Sequence, residues 1–476
     1  MTRPYDLVVI GGGSGGLVSA LIAAGLGARV ALVEQDRLGG DCLWTGCVPS
    51  KSLLAAAELA HRMRHADSVG LPAREPEVDF HLVMSRVRLA IATIAPHDSA
   101  ERLTREGIDV LAGHAEFTGP GQLAVGEQTL RFRAAIIATG STPVLPSVRG
   151  LADTPVLTTD TVWALDSLPA RLAVIGGGPI GCELGQAFAR LGSNVTIIEV
   201  ADRLLPREEP TAGELLAARL TEEGIQVRSG TRINSVERAA GAVSVALEGD
   251  GRVVADSILL ATGRRPRTDG LGLDTVGVAT DQRGAVAVDG RLRTSARGIY
   301  AVGDVTALLP FTHVAAHHAR VAVPNALFHA RATVSTTIPW VTFTDPEVAR
   351  IGLTEEQARE RYGNRAQTVT FGYGELDRAI TAGQAYGFVK LVSGPRGHLV
   401  GATIAAPAAG EAIGEITSLI ARGGRLADLS RAVHAYPTLA EGPVRAADAE
   451  LAARYSTPAV RRTARAALAA QRLLRL

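Results

Sequence analysis

The stretch Leu7-Val8-Val9-Ile10-Gly11-Gly12-Gly13-Ser14-Gly15-Gly16 decides the fold. Four consecutive apolar residues read as a buried parallel strand. They run into Gly11-x-Gly13-x-x-Gly16 and a helix of small residues through about Gly27. A second strand, residues 29–33, ends at Glu34, 23 positions after Gly11. Strand, glycine turn, helix, strand and terminal acid together form a dinucleotide-binding unit. The glycines let backbone approach a pyrophosphate, the helix N-terminus favours its charge, and the acid bonds a ribose hydroxyl. Gly11, Gly13, Ser14, Gly16 and Glu34 are the candidate contacts. The alternative is a tight glycine turn with no ligand; the flanking strands and the acid weigh against it.

Moving outward, the same unit recurs. Residues 172–175 form a strand, Gly176-x-Gly178-x-x-Gly181 a turn enclosing Ile180, and a helix follows through Leu191. Residues 194–198 then end at Glu199, again 23 positions after the first glycine. Each unit closes on a short strand and an Ala-Thr-Gly turn, Ala138-Thr139-Gly140 and Ala261-Thr262-Gly263. Two such units imply one bound flavin nucleotide and one exchangeable nicotinamide nucleotide. Glu199 stands where an acid bonds a free 2′-hydroxyl and repels a 2′-phosphate, so NADH is expected over NADPH. The opposing reading turns Glu199 to solvent and lets Arg203 or Arg207 accept the phosphate.

Between the units lies Gly39-Gly40-Asp41-Cys42-Leu43-Trp44-Thr45-Gly46-Cys47-Val48-Pro49-Ser50-Lys51, with two of the three cysteines. A helical run, Ser52-Leu53-Leu54-Ala55-Ala56-Ala57, follows. The cysteines therefore sit near a helix start, where the dipole favours a thiolate. With four residues between them they can reach disulfide distance. They read as a redox-active pair exchanging electrons with the flavin. Two structural thiols or half a metal site are the alternatives; a metal would need further Cys or clustered His, and the third thiol is the distant Cys182.

Composition sets the outer bounds. A chain of 476 residues exceeds a single core, so two to four domains are expected. With 49 basic and 48 acidic residues, no global charge points to nucleic acid or an anionic membrane. Three cysteines cannot staple a scaffold, which favours a reducing cytoplasm. The short apolar run at the start is a strand rather than a signal peptide, and no apolar stretch is long enough for a transmembrane span.

Residues 79–112 read as mostly helical with a break at Pro96, and residues 115–140 as small strands. Residues 298–306 form a short strand ending in Gly303-Asp304. From 338 the texture becomes α+β. The Ala/Arg-rich tail from 448 reads as helical. Its Arg461, Arg462, Arg465, Arg472 and Arg475 form a solvated face on a packed helix, with contact to an anionic membrane as the lesser reading. The fold class is thus α/β: two Rossmann-like dinucleotide-binding domains plus a C-terminal α+β domain.

With these motifs in place the chain resembles the class I pyridine nucleotide-disulfide oxidoreductases, in their mercuric-reductase-like and dihydrolipoamide-dehydrogenase-like branch. The resemblance runs from Tyr5 to about Glu441, and its most specific motif, Gly-Gly-x-Cys-x-x-x-Gly-Cys-x-Pro-Ser-Lys, matches residues 39–51. It implies a discontinuous FAD-binding domain (1–148 and 272–337), an NAD(P)H-binding domain (149–271) and a dimerisation domain (338–476). FAD would lie on Gly11, Gly13, Ser14, Gly16, Glu34, Gly40, Lys51, Thr139, Gly140, Gly303 and Asp304. The nicotinamide nucleotide would lie on Gly176, Gly178, Ile180, Gly181, Glu199 and Gly263. Cys47 would be the charge-transfer thiol beside the flavin and Cys42 the interchange thiol that meets the acceptor. Lys51 would pair with Glu183, because a cation beside a flavin stabilises its reduced anion and burial demands a counter-charge.

Electrons would pass from NAD(P)H to FAD, to Cys42–Cys47, and on to a small-molecule acceptor: a disulfide, a metal ion or a quinone. A reductase that sends electrons straight from flavin to quinone or dye, and a flavoprotein subunit of a larger complex, are the alternatives. The family's homodimers bring C-terminal residues to the partner's thiols. Its disulfide-reducing members have His-Pro-Thr…Glu there; this chain has Tyr436-Pro437-Thr438-Leu439-Ala440-Glu441. Tyr436 and Glu441 complete the candidate catalytic set. A phenol with pKa about 10 is a poor proton shuttle beside an imidazole near 6.5. Mercuric reductases share the Tyr but capture metal with a C-terminal cysteine pair, and no Cys follows Cys182.

Overall fold

A computed structural model of the chain describes residues 3–239, 241–249 and 251–474. It divides into two compact units. One comprises Met1–Met63, Glu75–Val200 and Gly224–Ser335; the other comprises Arg64–Arg74, Ala201–Glu223 and Thr336–Leu476.

The first unit holds two parallel sheets of the same design. In one, Tyr5–Ile10 lies in the middle, with Val30–Glu34 and Ile108–Ala112 to one side and Gln128–Ile137 and Ile299–Ala301 to the other. Register is fixed by Ile10 opposite Val33 and Ile137. In the second, Arg171–Ile175 is flanked by Asn194–Ile198 and Gln226–Arg228 on one side and by Ser257–Leu260 on the other. Leu7, Val9, Leu32 and Ile136 are fully buried in the first; Ala173, Ile197 and Ile258 are fully buried in the second. In each sheet the chain leaves the middle strand to one side and returns on the other. That switch opens a crevice at the strand C-termini, where both glycine turns stand.

Residues 108–112 depart from the helical expectation. Helices Phe80–Ile94 and Ala100–Arg105 end at Gly107, whose φ of +82° turns the chain, and Ile108–Ala112 pairs with Val30–Glu34 as a strand. The sheet edge overrides the local helical pattern.

The second unit is built on a five-stranded antiparallel sheet: Pro339–Thr342, Glu347–Gly352, Leu399–Ala406, Phe388–Ser393 and Gln367–Gly372. Helices Ala409–Ala421 and Glu441–Tyr455 bury Ile416, Ala446 and Ala447 in a core shared with Ile351, Leu391 and Ile404. Lys390 reaches Glu209 at 3.1 Å and Glu355 at 2.9 Å, and Arg350 reaches Glu208 at 3.2 Å, so buried charges here are paired. The final helix, Pro458–Leu474, carries Arg461, Arg462, Arg465 and Arg472 exposed; so are its other described side chains, so the packed helix of the expectation is not seen. Arg475 lies outside the described residues. Among the described residues no helix is long and apolar enough to cross a membrane.

Candidate redox site

The dithiol segment is tied to the first glycine turn by backbone. Gly39 N–H donates to Gly12 O at 2.9 Å, and a Cβ on Gly40 would stand 2.6 Å from Gly13 Cα. Only glycine allows that approach, and Gly40 also has φ +58°. Cys42 sits in the short helix Gly40–Trp44; Cys47 is the first residue of the helix Cys47–Arg64. Trp44 Nε1 donates to Leu38 O at 2.7 Å and Trp163 Nε1 to Thr45 O at 2.9 Å, holding the segment at both ends.

The two thiols are unequal. The hydrogen bond from Cys42 holds Cys47 down at about 6, helped by the Thr312 hydroxyl and the Lys51 ammonium against the cost of burial. The same bond, followed by burial, pushes Cys42 well above the ordinary thiol range. Thr312 Oγ1 lies 3.4 Å from Cys47 Sγ, from the first position of the helix Thr312–Phe328. Cys47 thus meets a hydroxyl and two helix N-termini, all favouring a thiolate. Cys182 is fully buried and pushed up by that burial, with Sγ 3.3 Å from Gly177 O.

Lys51 stands four residues after Cys47 on the same helix, and its Nζ lies 2.7 Å from Glu183 Oε2. Glu183 is buried on the helix Pro179–Arg190 that follows the second glycine turn.

Both turns have the features a pyrophosphate needs. A Cβ on Gly16 would fall 1.8 Å from Gly11 O, and one on Gly181 1.9 Å from Gly176 O, so each helix packs directly on its turn. Gly178, by contrast, keeps open space on its Cβ side, and a Cβ on Gly13 would meet only Gly40 Cα, at 3.8 Å. Helices Ser14–Gly25 and Pro179–Arg190 begin with no side-chain cap and no acid in the first turn, leaving their N–H groups available to an anion. Glu34 accepts from Gly12 N–H at 2.5 Å, and Glu199 from Gly177 N–H at 2.6 Å. Each carboxylate is thereby aimed from its strand end at its own turn.

Ile180, in the second turn, is exposed. Gly140 and Gly263 have left-handed φ of +72° and +117° and open space around them. Thr139 Oγ1 donates to Arg267 O at 2.6 Å. Gly303 (φ +71°) precedes Asp304, which accepts from Ser141 Oγ at 2.7 Å. His318 Nδ1 accepts from Gly303 N–H at 3.2 Å, and burial lowers its pKa to about 4, so the imidazole is a neutral prop for that turn. The residues present fit a flavin nucleotide on the first turn and a nicotinamide nucleotide on the second.

In the second unit, Tyr436 is exposed and its hydroxyl donates to Asp377 Oδ2 at 3.0 Å, which raises its pKa. His434 lies 2.9 Å from Glu415; partial burial opposes its protonation, but Glu415 outweighs it and raises the pKa. Glu441 Oε2 accepts from Thr438 N–H at 2.8 Å. All three side chains are engaged locally.

Thr312, which lies against the Cys47 thiol, is not among the residues named from the sequence. Thr312 is 265 positions from the thiol it touches, and a lone Thr at a helix start carries no motif.

The chain matches the family model "Pyridine nucleotide-disulphide oxidoreductase" over residues 5–322 and that family's dimerisation domain over 338–447. It is 38% identical to a dihydrolipoyl dehydrogenase of Thermus scotoductus over 94% of this chain and 97% of the relative. It is 39% identical to a mercuric reductase of Streptomyces lividans, over 92% and 94%. A Cu(II) complex of the HOCl-induced flavoprotein disulfide reductase RclA from Escherichia coli superposes with TM-score 0.83 at 30% identity, over 92% and 98%.

Proposed function

The chain belongs to the pyridine nucleotide-disulphide oxidoreductase family, and from that premise we propose that Cys42 meets the acceptor while Cys47 faces the flavin. The family's chemistry uses FAD and NAD(P)H, and FAD when bound supplies the two-electron relay between nicotinamide and dithiol. The surroundings of Cys47 carry the reading: Thr312 Oγ1 at 3.4 Å and two helix N-termini favour its thiolate. Cys47, held at about 6, is a thiolate at neutral pH and is poised to attack Cys42 Sγ once that sulfur carries the acceptor's, closing the Cys42–Cys47 bond and releasing the acceptor as a thiolate. Cys42 keeps its proton until an acceptor engages it. Lys51 sets a cation beside Cys47, and Glu183 balances it.

The first turn with Gly40, Asp304 and the Thr139-Gly140 turn would hold FAD, and the second turn with Gly263 the nicotinamide nucleotide. Glu199, aimed at its turn, supports NADH over NADPH. The FAD and NAD(P)H domains would follow the sheets at 1–148 with 272–337 and at 149–271. Residues 338–476 would pair two copies as a homodimer, as their match to a dimerisation domain supports.

The acceptor proposed is a soft metal ion or strongly oxidising small molecule, not a lipoamide-type disulfide. Tyr436 is held as a protonated phenol by Asp377, so position 436 offers no base near neutrality. Similarity to a mercuric reductase and to a Cu(II) complex of RclA supports thiophilic acceptors. Anaerobic titration with NADH, then Hg(II), Cu(II), quinone and small disulfides as acceptors, tests this. Long-wavelength thiolate-to-flavin absorbance at two-electron reduction is the expected result; its absence with FAD bound sinks the dithiol reading. Faster turnover of lipoamide than of the metal ions sinks the acceptor reading.

A further inference from the structure

One half-buried cluster beside the thiols has no part in the reading above. Asp41 stands between Gly40 and Cys42, and Arg264 directly follows Gly263. Arg264 donates through Nε to Ser141 Oγ at 2.8 Å, through Nη1 to Thr159 Oγ1 at 3.0 Å, and through Nη2 to Ser141 O at 2.9 Å and to the Asp41 carboxylate. Its side chain is 18% exposed. Arg267 stands 3.7 Å from the other Asp41 oxygen. Ser141 Oγ passes the chain on to Asp304 at 2.7 Å.

The Arg264 backbone is itself pinned. Arg264–Pro266 pairs antiparallel with Ser141–Pro143, and Thr262 Oγ1 donates to Val144 O at 3.0 Å. One guanidinium therefore joins the dithiol segment, the turn bearing Asp304 and the turn closing the second nucleotide unit. A planar fork with five fixed donors can do this; a lysine cannot.

The dithiol segment needs such a tie. Gly40–Trp44 is a five-residue helix, far below the length that is stable alone, and Leu43 is its one buried side chain. The tryptophan bonds hold the ends of the segment, and the Asp41–Arg264 grip is the side-chain tie beside Cys42 itself.

We infer that Arg264 is a positioning residue for Cys42: by gripping Asp41 it raises the effective concentration of the Cys42 thiol at Cys47 and so sets the reducing power of the pair. This rests on reading Cys42 and Cys47 as the redox pair. Both thiols give up a proton and an electron as the S–S bond forms, and oxidised dithiothreitol, which takes up both, is the counter-couple.

The test equilibrates the full-length FAD-loaded protein in dithiothreitol redox buffers, traps thiols by alkylation and counts the Cys42–Cys47 disulfide by peptide mass. Arg264→Ala should lower the disulfide-forming constant about tenfold, equivalent to about 30 mV for a two-electron couple. Asp41→Asn should do nearly the same, and the double variant should be no worse than the worse single, because one contact is lost in all three. Arg264→Lys should recover less than half of the loss. A merely structural role would lower thermal stability or FAD content and leave the constant within twofold; that result, or additive single effects, overturns the inference. Should Arg264→Ala fail to fold, the near-isosteric Asp41→Asn carries the same test. A wild-type protein that forms no Cys42–Cys47 disulfide would sink the redox-pair reading and this inference with it. A normal wild-type disulfide with unshifted variants sinks this inference alone.

Discussion

Residues 39–51 and residues 434–441 are the two stretches a family motif picks out, and the chain treats them in opposite ways. In the first, side chains reach across the fold. Cys47 meets Thr312, Lys51 meets Glu183 and Asp41 meets Arg264, partners 265, 132 and 223 positions away. In the second, the partners lie 19, 59 and 3 positions away. His434 turns to Glu415, Tyr436 to Asp377, and Glu441 to Thr438. The first stretch is wired to alter a thiol's chemistry; the second is satisfied where it stands. A motif has chemical force only where its surroundings change the properties of its groups.

The harshest way to break the contrast is to remove the acceptor thiol. Cys42→Ser should cut acceptor turnover roughly a thousandfold or more, as loss of a nucleophile does. Flavin reduction by NADH should persist, since no residue of the second turn is touched; stopped-flow absorbance separates the two. Unchanged turnover would transfer the activity to direct reduction of acceptor by flavin.

Lys51→Met probes how far the surroundings govern Cys47. In the parent, the thiolate signal should grow as pH rises through about 6. Removing the ammonium takes away an attraction for the anion, so the midpoint should move up. Stability follows the same sign. The folded thiol lies below the ordinary value of about 8.5, so the stabilisation is present above that pH and lost as pH falls toward 6. Glu183 is left buried without this cation, at a cost of about 1–2 kcal/mol in urea unfolding; the 3–5 of a fully buried pair is discounted because the Lys51 side chain is 37% exposed. An unmoved midpoint would show that Cys42 and Thr312 alone hold Cys47 down.

Glu199→Ala asks whether the second nucleotide turn reads the ribose. NADH kcat/KM should fall about tenfold, the size of one charged hydrogen bond, while NADPH improves or holds. A parallel fall for both cofactors would mean that Glu199 only braces Gly177.

The architecture was legible in the sequence because two glycine turns with strands on either side admit few solutions. Gly11, Gly16, Gly176 and Gly181 leave no room for a Cβ, so their spacing records packing directly. The strand at 108–112 was not legible: its identity comes from pairing with Val30–Glu34 after Gly107, a contact no local pattern encodes. In the site, Cys42, Cys47, Lys51 and Glu199 were visible from motif spacing. Thr312 and Arg264 were invisible, because what matters about them is a hydrogen bond across the fold by a residue type common everywhere. Sequence named the thiols; only geometry makes them unequal.

Tyr436→Phe is the gentlest probe and the one most specific to the second stretch. It removes a hydroxyl that is exposed and bonded to Asp377 at 3.0 Å, and leaves ring and backbone unchanged. An exposed hydrogen bond of this kind contributes little to stability, so the melting temperature should scarcely move. If the phenol carries no proton in turnover, metal-ion reduction should stay within about threefold of the parent across pH, where loss of a true acid–base group costs roughly a hundredfold or more. Tyr436→His then sharpens the result. An imidazole at this position restores a group that titrates near neutrality, and turnover of a small disulfide should rise while metal-ion reduction stays flat. A large loss in Tyr436→Phe would instead give the phenol a catalytic part and erase the contrast between the two stretches.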